Sequence, residues 1–366
     1  MTTQERVIKA LKREKADRVP VFVYLNPYKD NAWYRNDPSY GELLAATEDY
    51  ADVLYDVHFP WGFLHNAVEL DEEFKDLGNG LTEHIVHTPK GPICEHTTAD
   101  WRGEGTVKKW IYEPRDVERL LSLPHVSPRP DLNPMLAERE RLKGKAVMQM
   151  TFPDPICSAG LIDDNSLAIW TVEQREVLTE LFDVAYQRVY EELRYCLEGG
   201  VGPLYYFNGP EYALPPLMSP ADFEDFVVAY DRKLVDLIHA YPGNYAIIHS
   251  HGKVSTFLER FAQIGMDGLN VLEPPPMGDT VLSDAKQRIG KQVCLIGNIQ
   301  YDDIARGTPE QVERLVAEAI SQGAPGGGFI LSPCASPYER PIPKQASDNF
   351  IHYLKMGRKY GELAYA

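Results

Sequence analysis

A chain of 366 residues, 44% hydrophobic and 25% charged, has ample material for a buried core. Its formal net charge of −17 works against nucleic-acid backbones and anionic membrane surfaces as partners, and no apolar run approaches the roughly 18 residues a spanning helix needs. Five scattered cysteines without CxxC spacing (Cys94, Cys157, Cys196, Cys294, Cys334) argue against a disulfide framework or a zinc ribbon; with a polar start that lacks a signal-peptide core, they point to a reducing cytoplasm.

Residues 2–14 predict a helix opened by a capping box, Thr2 with Glu5 three positions on, and Val7, Ile8 and Leu11 give it one apolar face. The β-branched run 18–24 (RVPVFVY) predicts the first strand, and the polar, aromatic-rich loop 26–40 after it carries Tyr28, Trp33 and Tyr34. A second strand falls at 50–59 and leads into Pro60-Trp61-Gly62. Alternating segments at 82–87, 93–98 and 107–112, bounded by Pro89-Lys90-Gly91 and Gly103-Glu104-Gly105, predict antiparallel hairpins over 81–114. His84, His87 and His96 lie there and read as surface or rim residues rather than ligands.

A proline-rich connector at 124–134 leads to a third strand at 146–152. Leu178, Leu181, Phe182, Ala185, Val189 and Leu193 recur at helical spacing until Gly199-Gly200 stops the helix. Further strands are predicted at 203–207, 245–249, 268–272, 293–297 and 328–331, with helical patterns between them, one opened by Ser219-Pro220. Eight strands alternating with helices predict an α/β fold, a (β/α)8 TIM barrel forming a single domain over 1–366 with one inserted β-hairpin region.

In such a barrel the C-terminal strand ends meet at one mouth. They carry Glu211 after the fourth strand, His249 and His251 at the fifth, Glu273 at the sixth, Asn298 at the seventh and Cys334 at the eighth. An extended strand points His249 and His251 the same way. Zinc accepts glutamate, histidine and cysteine, and a catalytic zinc keeps three or four such ligands and a replaceable position. Glu211, His249, His251 and Cys334 supply that set. Taken singly, a strand-end histidine is a hydrogen-bonded rim residue and a lone cysteine a small core residue; their joint occurrence at three strand ends favours a metal site. Cys157, Cys196 and Cys294 read as structural. Walker-type, GxSxG and HExxH motifs are absent, and Gly200-Val201-Gly202 lacks the third glycine of a dinucleotide fingerprint.

At these residues the chain resembles the uroporphyrinogen decarboxylase superfamily over nearly its whole length. The matching stretches are Asp17-Arg18-Val19-Pro20-Val21, Leu217-Met218-Ser219-Pro220-Ala221-Asp222-Phe223, His249-x-His251-Gly252 and Leu331-Ser332-Pro333. The resemblance implies a TIM barrel. Decarboxylases of the superfamily carry an N-terminal Arg-Gln-Ala-Gly-Arg-Tyr segment that holds the substrate carboxylates. The equivalent stretch here, Asn26-Pro27-Tyr28-Lys29, lacks both arginines, which argues against an acidic tetrapyrrole. The other branch comprises zinc-dependent methyltransferases that work with corrinoid proteins; they use His-x-Cys-Gly after strand five and a second cysteine after strand eight. Here His251 stands in place of the first cysteine and Cys334 at the second.

A zinc with fewer thiolates is a stronger Lewis acid, suited to an ether oxygen whose methyl group leaves. The resemblance therefore implies an aryl methyl ether O-demethylase. It would move a methyl group from a small methoxylated aromatic donor to the Co(I) corrinoid of a partner protein, with Zn2+ on Glu211, His249, His251 and Cys334. Tyr28, Trp33, Trp61 and Phe152 are expected to wall the substrate, and Glu273 and Asn298 to hydrogen-bond it. The alternatives are a methyl-corrinoid:thiol methyltransferase of the coenzyme M type, a tetrapyrrole decarboxylase and a non-enzymatic binding barrel. The sequence leaves the methyl donor and homo-oligomer formation open.

Overall fold

Segments rich in β-branched and aromatic residues build a curled, seven-stranded parallel sheet in the computed structural model, which describes residues 1–59, 62–100 and 103–366. Its first strand is β1 (Val53–His58). Four antiparallel strands follow: β2 (Glu72–Gly78), β3 (Leu81–Val86), β4 (Ile93–Asp100) and β5 (Gly103–Lys108). The parallel sheet resumes with β6 (Ala146–Pro153), β7 (Leu204–Asn208), β8 (Tyr245–Ser250), β9 (Gly268–Val271), β10 (Cys294–Ile299) and β11 (Phe329–Pro333). The order β1-β6-β7-β8-β9-β10-β11 is sequential and every pairing parallel. Helices such as Arg175–Glu198, Pro309–Gly323 and Lys344–Leu363 lie between or after the strands and cover the outside. The result is a TIM-barrel-like α/β fold.

The segment expected as the first strand, 18–24, is reduced to a single bridge, Val21 to Leu331. Phe22 N donates to Leu331 O at 2.8 Å, and Leu331 N to Pro20 O at 2.9 Å. On the other side Asp52 N donates to Val21 O at 2.7 Å, so the segment is bonded toward both β11 and β1. Two features cut it short. Pro20 has no N–H for a ladder, and the N–H of Val21 is taken by the Asp52 side chain at 3.0 Å. Tyr24, at φ 55°, then turns the chain away.

Asp52 is the clasp of this closure. Its fully buried carboxylate accepts from Arg6 Nη1 at 2.6 Å and Arg18 Nη1 at 2.7 Å as well as from Val21. Arg6 also grips Asp17 at 2.6 Å; that bond outweighs partial burial and holds the Asp17 carboxyl well below the usual range. Arg6 belongs to helix α1 (Thr3–Leu11), whose capping box Thr2–Glu5 is formed. The helix presses Val7, Ala10 and Leu11 into a cluster with Phe22, Leu54, Val147, Leu204, Ile247, Cys294, Ile296 and Ile330. It plugs the N-terminal end of the barrel.

The antiparallel excursion differs in extent from the expected 81–114. It begins at Glu72 with β2, an exposed edge strand whose sequence EEFKDLG has no buried alternation to reveal it. Its last strand ends at Lys108 instead of Tyr112. The clasp gives a direct test. Asp52→Asn leaves the buried Arg18 guanidinium without a countercharge and Arg6 with Asp17 alone, and is expected to lower unfolding free energy by about 3–5 kcal/mol. Urea denaturation measures it, and a loss below about 1 kcal/mol would contradict the assignment.

Candidate metal and substrate site at the barrel mouth

Side chains alternate across a strand, so every second residue faces the barrel axis. Along each strand these inward positions change from apolar to polar toward the C-terminal end. β1 runs Leu54, Asp56, His58; β6 runs Val147, Gln149, Thr151; β7 runs Leu204, Tyr206, Asn208. β8 runs Ile247, His249; the inward positions of β9 end in Asn270 and those of β11 in Ser332. The apolar half rests on α1, and the polar half forms a layer open toward the mouth.

Asn270 is fully buried at the centre of that layer. Its Nδ2 donates to Ile296 O at 3.1 Å, which fixes the amide and presents Oδ1 as an acceptor. Tyr206 OH donates to this oxygen at 2.6 Å, and His249 Nδ1 lies 2.7 Å from it. Tyr206 OH also lies 2.6 Å from His249 Nδ1; with Tyr206 donating to Asn270, the tautomer that satisfies the amide oxygen carries its proton on Nδ1 and leaves Nε2 with its lone pair. Burial, reinforced by neighbouring His251, lowers the His249 pKa to about 4. The imidazole is therefore neutral at physiological pH. Tyr24, whose phenol accepts from Ser332 Oγ at 2.7 Å, closes the layer on the side of Cys334.

His251 follows, its ring centroid 4.6 Å from that of His249 and edge to face with it. Its Nδ1 lies 3.1 Å from Glu273 Oε1, a contact that raises the His251 pKa over the opposing effect of burial. Gly252, at φ 86°, turns its N–H back onto Glu273 Oε2 at 2.7 Å. Glu273, expected to meet substrate, is thus a buried brace for the His251-Gly252 turn. Glu211 reaches the same region because Gly209, at φ 137°, bends the chain sharply after β7, where a Cβ would collide with Cys157 Sγ. The Glu211 carboxyl is pushed up in pKa by burial, and its Oε2 has no hydrogen-bond partner. Cys334 is buried just past β11, its N–H bonded to Ile299 O at 2.8 Å; burial, then the charges of Glu273 and Asp303, push its thiol far up.

Beside this group lies a cavity of about 280 Å³ lined by Tyr24, Asn26, Lys29, Tyr34, Asp56 and His58, among others. Asp56 Oδ2 and His58 Nε2 are 2.6 Å apart, and Thr151 and Gln149 also donate to Asp56. Burial raises the Asp56 pKa, but these partners outweigh it and hold the carboxyl below its ordinary value. The inward alternation of β1 and β6 carries this cluster, and that period-two signal, present in the sequence, would have found it.

The expected aromatic wall is placed differently. Phe152 faces outward and is fully buried against Phe59, Tyr205 and Phe207; Gln149 and Thr151, of opposite parity, face the cavity instead. Tyr28 packs near Val53, Leu142 and Ala146, with Lys145 Nζ 5.7 Å from its ring. Trp33 packs against Tyr34 and Tyr40 beneath the Arg340 guanidinium, 3.8 Å from its ring. Asn298 lines a separate cavity with Thr280, Gln300 and Asp303. Trp61 lies outside the described residues.

A uroporphyrinogen decarboxylase (URO-D) family profile matches residues 159–343, which span β7 to β11 and include Glu211, His249, His251 and Cys334. The chain belongs to the uroporphyrinogen decarboxylase family. Relatives named uroporphyrinogen decarboxylase include one from Pseudoalteromonas translucida, 30% identical over 119 residues, 32% of each chain. One from Synechococcus is 26% identical over 43% of this chain and 42% of its own, so these two are matched over less than half their length. One from Prochlorococcus marinus is 22% identical over 344 residues, 89% of each chain. A solved methyltransferase from Methanosarcina mazei shares the fold, with a TM-score of 0.62 at 17% identity over 98% of this chain and 99% of that one.

The mouth of this family member offers a neutral imidazole with a directed lone pair, an unpartnered buried carboxylate oxygen, a second imidazole and a buried thiol. That donor chemistry fits zinc, and the brace on each histidine matches the outer-shell pattern of metal-ligating histidines. Among the described residues, the group of three or more such side chains whose ligand atoms all lie within 4.8 Å of one another is instead Glu83, Cys94 and His96 on the antiparallel sheet. The mouth residues ring a wider space. The two histidines are expected to titrate oppositely in metal-free protein: His251 protonates above its ordinary 6.5 as pH falls, whereas His249 stays neutral until about pH 4. Imidazole NMR reads both, and a His249 midpoint near 6.5 would contradict the buried Nδ1–H network.

Proposed function

We propose that the protein is a zinc-dependent methyltransferase that takes the methyl group of a methoxylated aromatic and delivers it to the Co(I) corrinoid of a separate protein in the cytoplasm. The observation that carries this reading is His249, held neutral by burial and hydrogen-bonded through Nδ1 to Asn270 and Tyr206, with the His251 ring beside it. The methyltransferase from Methanosarcina mazei, alike in fold over the whole chain, supports the same branch.

Glu211, His249, His251 and Cys334 would hold the metal. When bound, zinc supplies Lewis acidity to the ether oxygen that becomes the leaving group. The chain's own part is to bind and orient. Asn270 and Tyr206 keep the His249 lone pair presented, and Glu273 keeps His251 in place. Tyr24, Tyr34 and Leu54 offer the cavity apolar surface for an arene, while the Asp56–His58 pair and Asn208 give hydrogen-bonding groups for ring substituents. No helix among the described residues is long and apolar enough to cross a membrane, and all five cysteines are free thiols.

The names of the sequence relatives favour a second reading, decarboxylation of a tetrapyrrole. Against it, the cavity lining includes no arginine, and its one lysine, Lys29, donates to Asp56 O at 3.0 Å. A polyacidic substrate would find a single lysine as counter-charge there. The reverse direction, methyl-corrinoid to a thiol, uses the same ligands and is separated by assay.

The test supplies zinc-loaded protein with Co(I) corrinoid and a panel of methoxyarenes, beside methyl-corrinoid with thiols and uroporphyrinogen. Methyl transfer from an arene is expected, lost in His249→Ala and Cys334→Ala and reduced about 10–100-fold in Asn270→Leu, which removes only the brace. Turnover with thiols alone would reverse the direction, and decarboxylation of uroporphyrinogen without zinc would overturn the proposal.

A further inference from the structure

We propose a second transition-metal site, suited to zinc, on the antiparallel sheet and formed by Glu83, Cys94 and His96. The ladder brings the three together. Glu83 on β3 pairs directly with His96 on β4, and Cys94 lies two residues before His96, so it shares that face and sits diagonally from Glu83. One carboxylate, one thiol and one imidazole offer ligand atoms all within 4.8 Å of one another, with His96 Nε2 3.1 Å from Glu83 Oε1. Facing strands hold them to this spacing without a long loop to order. A ligand set of one oxygen, one sulfur and one nitrogen, with water at a fourth position, is within zinc's range.

One further observation shows that the sulfur tolerates a positive charge, and a second that the group is reachable. Lys108, paired with His96 across to β5, places its Nζ 2.8 Å from Cys94 Sγ, so a positive charge already sits against the sulfur. The side chains of His96 and Glu83 are 24% and 21% exposed, anchored yet reachable from solvent. The sheet itself has little apolar burial to hold it: β2 is exposed throughout, and β3 is half-buried except for Val86. A metal bridging β3 and β4 stabilises strands where the core is thin, because binding that requires the folded ladder adds to folding free energy. On binding, Cys94 releases its proton to solvent and the Lys108 ammonium swings out to water. This site shares no residue with the barrel mouth and does not depend on the function proposed there.

Cobalt(II) titration of the full-length Cys334→Ser protein tests it, since that variant removes the thiol at the mouth. One equivalent of cobalt is expected to give a thiolate-to-cobalt charge-transfer band that zinc then displaces. Cys94→Ser on the same background abolishes the band, Glu83→Gln weakens binding about tenfold or more, and Lys108→Ala tightens it by removing the competing ammonium. Far-UV circular dichroism checks that each variant is folded. A folded Cys334→Ser protein without the band, or a band that survives the added Cys94→Ser change, overturns the site.

Discussion

A strand that closes a barrel can send only every second side chain toward the axis, and in this protein those inward positions carry the division between foundation and site. The lower ones (Leu54, Val147, Leu204, Ile247, Ile296, Ile330) pack on Val7, Ala10 and Leu11 of α1. The upper ones are Asp56, Gln149, Thr151, Tyr206, His249, Asn270 and Ser332. Because α1 seals the bottom and Asp52 ties α1, Arg18 and Val21 together, the polar layer opens in one direction. Its groups bond to one another first, with Asn270 as the hub.

That arrangement gives the mouth its electrostatic character. Burial disfavours charge on each donor: His249 is held neutral, the Glu211 carboxyl is pushed up, and the Cys334 thiol more so. His251 is the exception, because Glu273 beside it favours its protonated form. Such groups gain from a bound cation what burial takes from their charged forms, since a metal inverts the local pKa logic. The net charge of −17 is the surplus of acidic over basic side chains; surface ion pairs such as Arg288–Glu259 and Arg358–Glu362 are neutral and add nothing to it.

Much of this was legible in the sequence. The seven parallel strands fall where β-branched runs predicted them, and His249, His251, Glu211 and Cys334 could be named from strand ends. What escaped has physical causes. The 18–24 run shrinks to a bridge because Pro20 lacks a donor and Asp52 takes the next one. Phe152 has the residue type of a cavity wall, whereas strand parity turns it outward and turns Thr151 in. Glu273 at a strand end has the position of a substrate contact; its bonds to His251 and the Gly252 N–H are tertiary and invisible in a linear pattern. β2 leaves no signal in the sequence because an exposed edge strand has no apolar face to show.

The central claim is that the barrel mouth binds zinc through nitrogen, oxygen and a single sulfur. Zinc X-ray absorption on the Cys94→Ser protein, which isolates the mouth from the antiparallel sheet, addresses it most directly. The account predicts about one zinc per chain with one sulfur in an otherwise nitrogen and oxygen shell. A protein that retains no zinc, or zinc with a shell free of sulfur, would contradict it.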